Sequence, residues 1–218
     1  MKKKIFSVFV SMFITILAMA QLSDTKAKAV LDEVATYNKK QKTQAIEFSF
    51  ALDNPQEDIK ESSKGKAWIK GNKYKVDLMG VETYYDGKTM WSFLKEDKEV
   101  NISTPDMEEE NSFNPAKIFT MYQTGYKIKF VREMFQYNRA LYVIDLYPID
   151  VKESEIIRVR IKIDKDKKQI YQIARYAKNG NVYTISLTKI TENKPITDAF
   201  FVFDKAKHPG VEVVDLRD

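Results

Sequence analysis

From Ala45 onward, polar and apolar residues alternate with period two in short runs separated by turn-forming residues. That alternation constrains the fold more than any other feature, because it is the pattern of half-buried β-strands. AIEFSFAL (45–52) sets Ile46, Phe48, Phe50 and Leu52 against Ala45, Glu47, Ser49 and Ala51. GKAWIKG and KYKVDLM, joined through Gly71 and Asn72, set lysines 64, 66, 70, 73 and 75 and Asp77 against Gly65, Ala67, Ile69, Tyr74, Val76 and Leu78. One face of these strands is wet and the other dry.

Strand runs continue through VETYY (81–85), KTMWSFLK (88–95) after Asp86-Gly87, and EVNIS (99–103). They resume with YKIKFVREMF, RALYVIDLYP, IIRVRIKID, KQIYQIARYA and NVYTISLTKI, and ITDAFFVFD (196–204) reads as a further strand. Two segments break the alternation. Ala27, Val30, Leu31, Val34 and Tyr37 follow a helical period that ends near Asn38, and Ser23 or Asp24 can cap that helix. Asn114-Pro115 opens a second expected helix carrying Ile118, Phe119 and Tyr122. The fold class is therefore α+β: an antiparallel meander of about 10–11 strands with two or three helices and no βαβ crossover.

The first twenty residues, MKKKIFSVFVSMFITILAMA, combine three lysines, an apolar run from Ile5 to Ala18 and an Ala-Met-Ala end. This predicts a secretory signal peptide over 1–20, cleaved after Ala20, and a single domain over 21–218. The apolar run is short for a membrane span. Without 1–20 the chain has 33 basic and 31 acidic residues. That balance gives no reason to expect nucleic acid as a partner. The chain has no Cys and one His, which excludes disulfides, zinc sites of ordinary composition and attachment of lipid to a cysteine.

No chemistry-bearing constellation stands out. His208 lies in a Pro-Gly turn with no nucleophile pattern near it, and Asp164-Lys165-Asp166 reads as a hairpin turn, since the later calcium ligands and glycine are missing. The seven glycines form no phosphate loop, and the charge run Met107-Glu108-Glu109-Glu110 reads as a solvated helix end. The expectation is a protein that is not an enzyme and uses no cofactor or metal. A hydrolase working through a carboxylate pair is the weaker alternative.

In order and spacing the chain resembles the LolA family, the periplasmic outer-membrane lipoprotein carriers. The resemblance runs from the N-terminal helix through AIEFSFAL, GKAWIKGNKYKVDL, YYDGKTMWSF and NPAKIF to FVFDKAKHPGVEVVDLR. It implies an incomplete antiparallel β-barrel whose concave side is covered by helices. It also implies a monomeric periplasmic chaperone that holds lipoprotein acyl chains. The implied partners are acylated lipoproteins, an inner-membrane lipoprotein-releasing ABC transporter, and an outer-membrane receptor or the outer membrane itself. A lipid-sensing adaptor built on the same half-barrel is the alternative from another class. Many members follow the Trp-x-Lys of this strand with Arg-Pro, the arginine helping to hold the lid closed. Here Lys70 is followed by Gly71-Asn72, so no arginine carries over.

Ammonium groups strongly disfavour an acyl-filled interior, which turns Ala67, Ile69, Tyr74, Val76 and Leu78 inward and Trp68 outward with the lysines. A two-residue Asp86-Gly87 loop pairs Tyr84 with Thr89 and Tyr85 with Lys88. Glu82 then marks the face shared with Tyr84, Trp91 and Phe93 as the outer one. The acyl cavity expected on this basis comprises Ile46, Phe48, Phe50, Leu52, Ile69, Tyr74, Val76, Leu78, Val81, Tyr85, Met90 and Leu94. Val30, Leu31, Val34, Ile118, Phe119 and Tyr122 are expected to form the lid.

Overall fold

The computed structural model describes residues 24–105 and 114–217. The expected signal peptide and the Met107–Glu110 charge run lie outside them. Helix α1 spans 24–39. It is followed by β1 (Gln44–Asn54), β2 (Ile59–Lys70), β3 (Lys73–Leu78), β4 (Val81–Tyr85), β5 (Met90–Leu94) and β6 (Glu99–Ser103). The second half holds β7 (Tyr126–Gln136), β8 (Arg139–Pro148), β9 (Ile156–Asp164), β10 (Gln169–Ala177), β11 (Val182–Glu192) and β12 (Glu212–Asp215). All belong to one open sheet in the order β12-β6-β5-β4-β3-β2-β1-β11-β10-β9-β8-β7.

The chain therefore builds two meandering wings. β1 to β6 run outward in one direction, and β11 returns beside β1, pairing Gln44 with Glu192 and Phe50 with Ile185, so that the second wing extends the other way. Eleven of the twelve strands fall on expected runs. The twelfth differs: β12 pairs parallel with β6, Val213 opposite Val100. A chain returning from the far wing can run in either direction at an open edge, and here it comes back along the outer face.

Two expected elements take another form. Residues 115–120 are consecutive turns leading into a 3₁₀ turn at Met121–Gln123, not an α-helix. Asn114 does accept the N–H of Ala116 at 2.9 Å, as an N-terminal cap would. A segment of this length gains too few helical bonds to offset nucleation. ITDAFFVFD is not a strand: Asp198–Phe201 is a 3₁₀ turn, and the segment crosses the outer face of the first wing. Phe203 and Val211 there cover Tyr84, Phe93, Val100 and Trp91 in a second small core. His208 belongs to it, with its ring 4.5 Å from Phe93 and 4.8 Å from Phe203.

The main core lies on the opposite, inner face, where α1 and residues 116–122 pack on the sheet. Leu31 and Val34 of α1 meet Ile46, Phe48, Ile69, Ile144 and Ile161 in one contiguous cluster. Gly65 is required beneath Phe48: a β-carbon there would lie 2.4 Å from the Phe48 ring. On the outer face of the second wing Asp145, 2% exposed, is held by both Nε (2.7 Å) and Nη2 (2.8 Å) of Arg160. That bidentate pairing accounts for a carboxylate at a buried position.

Candidate functional site

An apolar cavity of about 710 Å³ opens on the inner face, at the end of the sheet formed by the β3–β4 and β10–β11 turns. Its walls come from strands that are not neighbours: Tyr74, Val76 and Leu78 of β3, Val81 and Thr83 of β4, and Met90 and Ser92 of β5 on one side; Ile156 of β9, Ile173 and Arg175 of β10, and Tyr183 and Ile185 of β11 on the other. Phe50 of β1 joins the two sides, stacked at 6.5 Å on Tyr183. β2 and β1 separate these walls in the sheet, so the sheet must curl for them to face each other.

Of the residues expected in the cavity, Phe50, Tyr74, Val76, Leu78, Val81 and Met90 line this opening. Ile46, Phe48, Ile69 and Tyr85 are instead buried members of the main core. Leu52 and Leu94 share the inner face by register, opposite Tyr183 and Val81, without lining the cavity. The wall supplied by β9 to β11 lies outside the expected cavity set. Its signal was the alternation of Tyr183, Ile185 and Leu187 in NVYTISLTKI, which becomes informative only once β11 is known to lie beside β1.

Lid residues Leu31, Val34, Phe119 and Tyr122 are buried, and Val30 and Ile118 pack partly buried against them. The Tyr122 hydroxyl donates to Asp32 of α1 at 2.7 Å, joining the two covering segments. Burial, and then the Asp32 carboxylate, push that phenol up to about 12, so it remains a donor. Lys70 does not reach α1: it donates to the Ile196 carbonyl at 2.9 Å and pairs with Asp198. The helix is held instead by Lys26 with Glu133 (2.6 Å), Lys168 with Glu33 (2.5 Å) and Tyr37 with Glu192 (2.9 Å). The first two of these are exposed ion pairs, which individually contribute little.

Between the covering segments and β2 lies a more polar cleft of about 600 Å³, bounded by Thr36, Asn38, Lys39, Gln44, Ile69 and Tyr122 among others. Within the apolar cavity polar groups are few. The Tyr74 hydroxyl contacts the Met90 sulfur at 4.0 Å, and burial pushes it up to about 12. Arg175 is the charged residue in the lining. Such a surface can take up an apolar ligand, and the lining holds none of the paired acid and base groups that bond cleavage requires. Among the described residues no three His, Cys, Asp or Glu side chains converge on a metal site. No helix among them is long and apolar enough to cross a membrane.

Fold and site together define an open half-barrel with a helix-covered interior and an apolar cavity at one end. The chain belongs to the outer membrane lipoprotein carrier protein LolA family, whose match spans residues 16–166. A comparison with curated proteins finds no match. Among solved structures, an uncharacterized conserved protein from Thermus thermophilus is similar at a TM-score of 0.57 and 12% identity, covering 87% of this chain and 99% of that one. The Mycobacterium tuberculosis lipoprotein LppX is similar at 0.49 and 11% identity, covering 80% and 99%. A LolA superfamily protein from Nitrosomonas europaea is similar at 0.44 and 14% identity, covering 82% and 98%.

Proposed function

We propose that this protein is an exported chaperone that takes the acyl chains of lipoproteins into its apolar cavity. It carries them from an inner-membrane ABC transporter to the outer membrane or a receptor there. The observation that carries the reading is the apolar cavity of about 710 Å³, walled from both wings and open at one end of the half-barrel. That volume lies within the ~300–1,000 Å³ usual for ligand sites. Burying acyl carbons contributes ~0.8 kcal/mol per CH₂, so an acylated protein does not cross water unaided. Such a carrier needs no covalent step. Family membership supports the same reading.

The test is release of an acylated lipoprotein from inner-membrane vesicles carrying the transporter. The exported protein should move the lipoprotein into the soluble fraction as a complex, and mass spectrometry of that complex should show acylated cargo. If the cargo stays membrane-bound and the purified protein carries no acylated species, the carrier reading falls.

A further inference from the structure

The near-balance of charge over residues 21–218 hides a strong local asymmetry. On the outer face of the second wing, β7 presents Lys127, Lys129 and Arg132 and β9 presents Arg158, Arg160 and Lys162, with β8 between them. The register sets Lys129, Asp145 and Arg160 in one row across the three strands and Arg132, Val143 and Lys162 in another. Asp145 is the acid among them, and it is engaged by Arg160 at 2.7 Å and approached by Arg158 at 3.8 Å. Arg132, Arg160 and Lys162 border a groove of about 580 Å³ on this face, with Asp53 of β1 as the acid in its lining. Lys162 donates to Gln136 at 3.0 Å, and its ammonium is held below the ordinary lysine range by burial and by repulsion from Arg160 and Arg132.

A second observation lies on the same hairpin. Its turn exposes the ring of Tyr137 (74%), which sits at φ 50°, whereas Phe135, opposite Ala140, is exposed on the inner face of the hairpin. A cationic face that ends in an exposed aromatic turn matches the chemistry of a bilayer interface. Lysine and arginine are drawn to anionic headgroups, and amphipathic rings settle at headgroup depth. An acidic polypeptide would answer the charge but would leave the aromatic tip without a role.

We propose that the outer face of β7–β9 docks on the surface of an anionic phospholipid bilayer, with the Tyr137 turn entering the interface. This surface lies on the opposite side of the sheet from the apolar cavity, so the docking does not depend on what the cavity holds. It orients the carrier against a membrane while the inner face remains available to cargo.

The test is co-sedimentation of the exported protein with phosphatidylcholine vesicles, with and without phosphatidylglycerol. Binding should require phosphatidylglycerol and weaken as salt is raised. Neutralising Lys127, Lys129 and Arg132 together with glutamine should lower the partition about a hundredfold, since each such charge near an anionic surface is worth about fivefold. Tyr137→Ser should weaken binding at low salt while leaving its salt dependence in place. All these side chains are on the surface, and uptake of a fluorescent fatty acid by the variants should match the wild type. Equal binding to both vesicle types, or a triple variant that partitions like the wild type, would overturn the proposal. So would loss of binding in that variant to an acidic polypeptide alone, with vesicle binding unchanged.

Discussion

Glu82 shows how one side chain can settle a face and store pH sensitivity at once. On the outer side of β4 its carboxylate accepts from the Tyr84 hydroxyl, from Lys75 at 3.0 Å and from Lys95 at 3.1 Å. Burial alone would raise its pKa, but these donors outweigh it and hold the group at about 2. A depressed carboxylate stabilises the folded state above its unfolded pKa, ~4.3, and that contribution is lost as pH falls through the folded value. Glu82→Gln should therefore cost about 1–2 kcal/mol at pH 7, discounted for solvent screening. In urea unfolding the difference from wild type should shrink from about pH 4.5 down towards the folded value near 2. A constant difference across that range would show that the ion-pair cluster is not the cause. Glu82 was legible in the sequence as an outward residue because an unpaired carboxylate does not belong in an apolar interior. Its three partners were not, since they depend on strand pairing and on the reach of Lys95.

At the scale of the element, the β4–β5 hairpin separates what alternation encodes from what it leaves open. The expected two-residue loop is in fact four residues, 86–89, because Asp86 accepts the N–H groups of Lys88 (2.9 Å) and Thr89 (2.8 Å). Tyr85 consequently pairs with Met90 and Tyr84 with Trp91. A slip of two residues changes every partner but no face, so Trp91 stays outside and Met90 inside. The segment 196–204 departs from the expected strand for a different reason. A continuous run such as AFFVF carries no period, and length alone cannot separate a strand from a strap across a sheet. Here Lys70 and Lys73 hold Asp198 at 2.8 and 2.7 Å, and Phe203 drops onto Tyr84 and Phe93. Phe203→Ala should destabilise the protein by about 3 kcal/mol, the lower end for a buried phenylalanine because the cluster borders solvent. In a Trp68→Phe background the emission of Trp91 should shift to the red as its cover loosens. An unshifted spectrum with unchanged stability would mean that the strap contributes nothing to the first wing.

Across the whole molecule, charge marks the faces of β2, β3, β7 and β9 in the sequence, whereas the role of β10 and β11 needs topology. Lysines alternate through β2 and β3 and orient every residue between them. β9 to β11 contribute five residues to the cavity wall that gain meaning only from the pairing of β1 with β11. The resulting inner face is not uniform. Beneath α1 it is closed, with Ile144 fully buried, while at the open end Met90 and Ile185 are only partly buried around the cavity. Stability and ligand uptake should therefore be separable by position. Ile144→Ala should cost about 2–5 kcal/mol in unfolding while the folded fraction takes up a fluorescent fatty acid with wild-type affinity. Met90→Glu should leave stability within about 1 kcal/mol yet weaken uptake at least tenfold, because a carboxylate would have to lose water against the acyl chain. If Met90→Glu binds like the wild type, or if both substitutions weaken uptake and stability in proportion, the opening is an extension of the core and acyl chains go elsewhere.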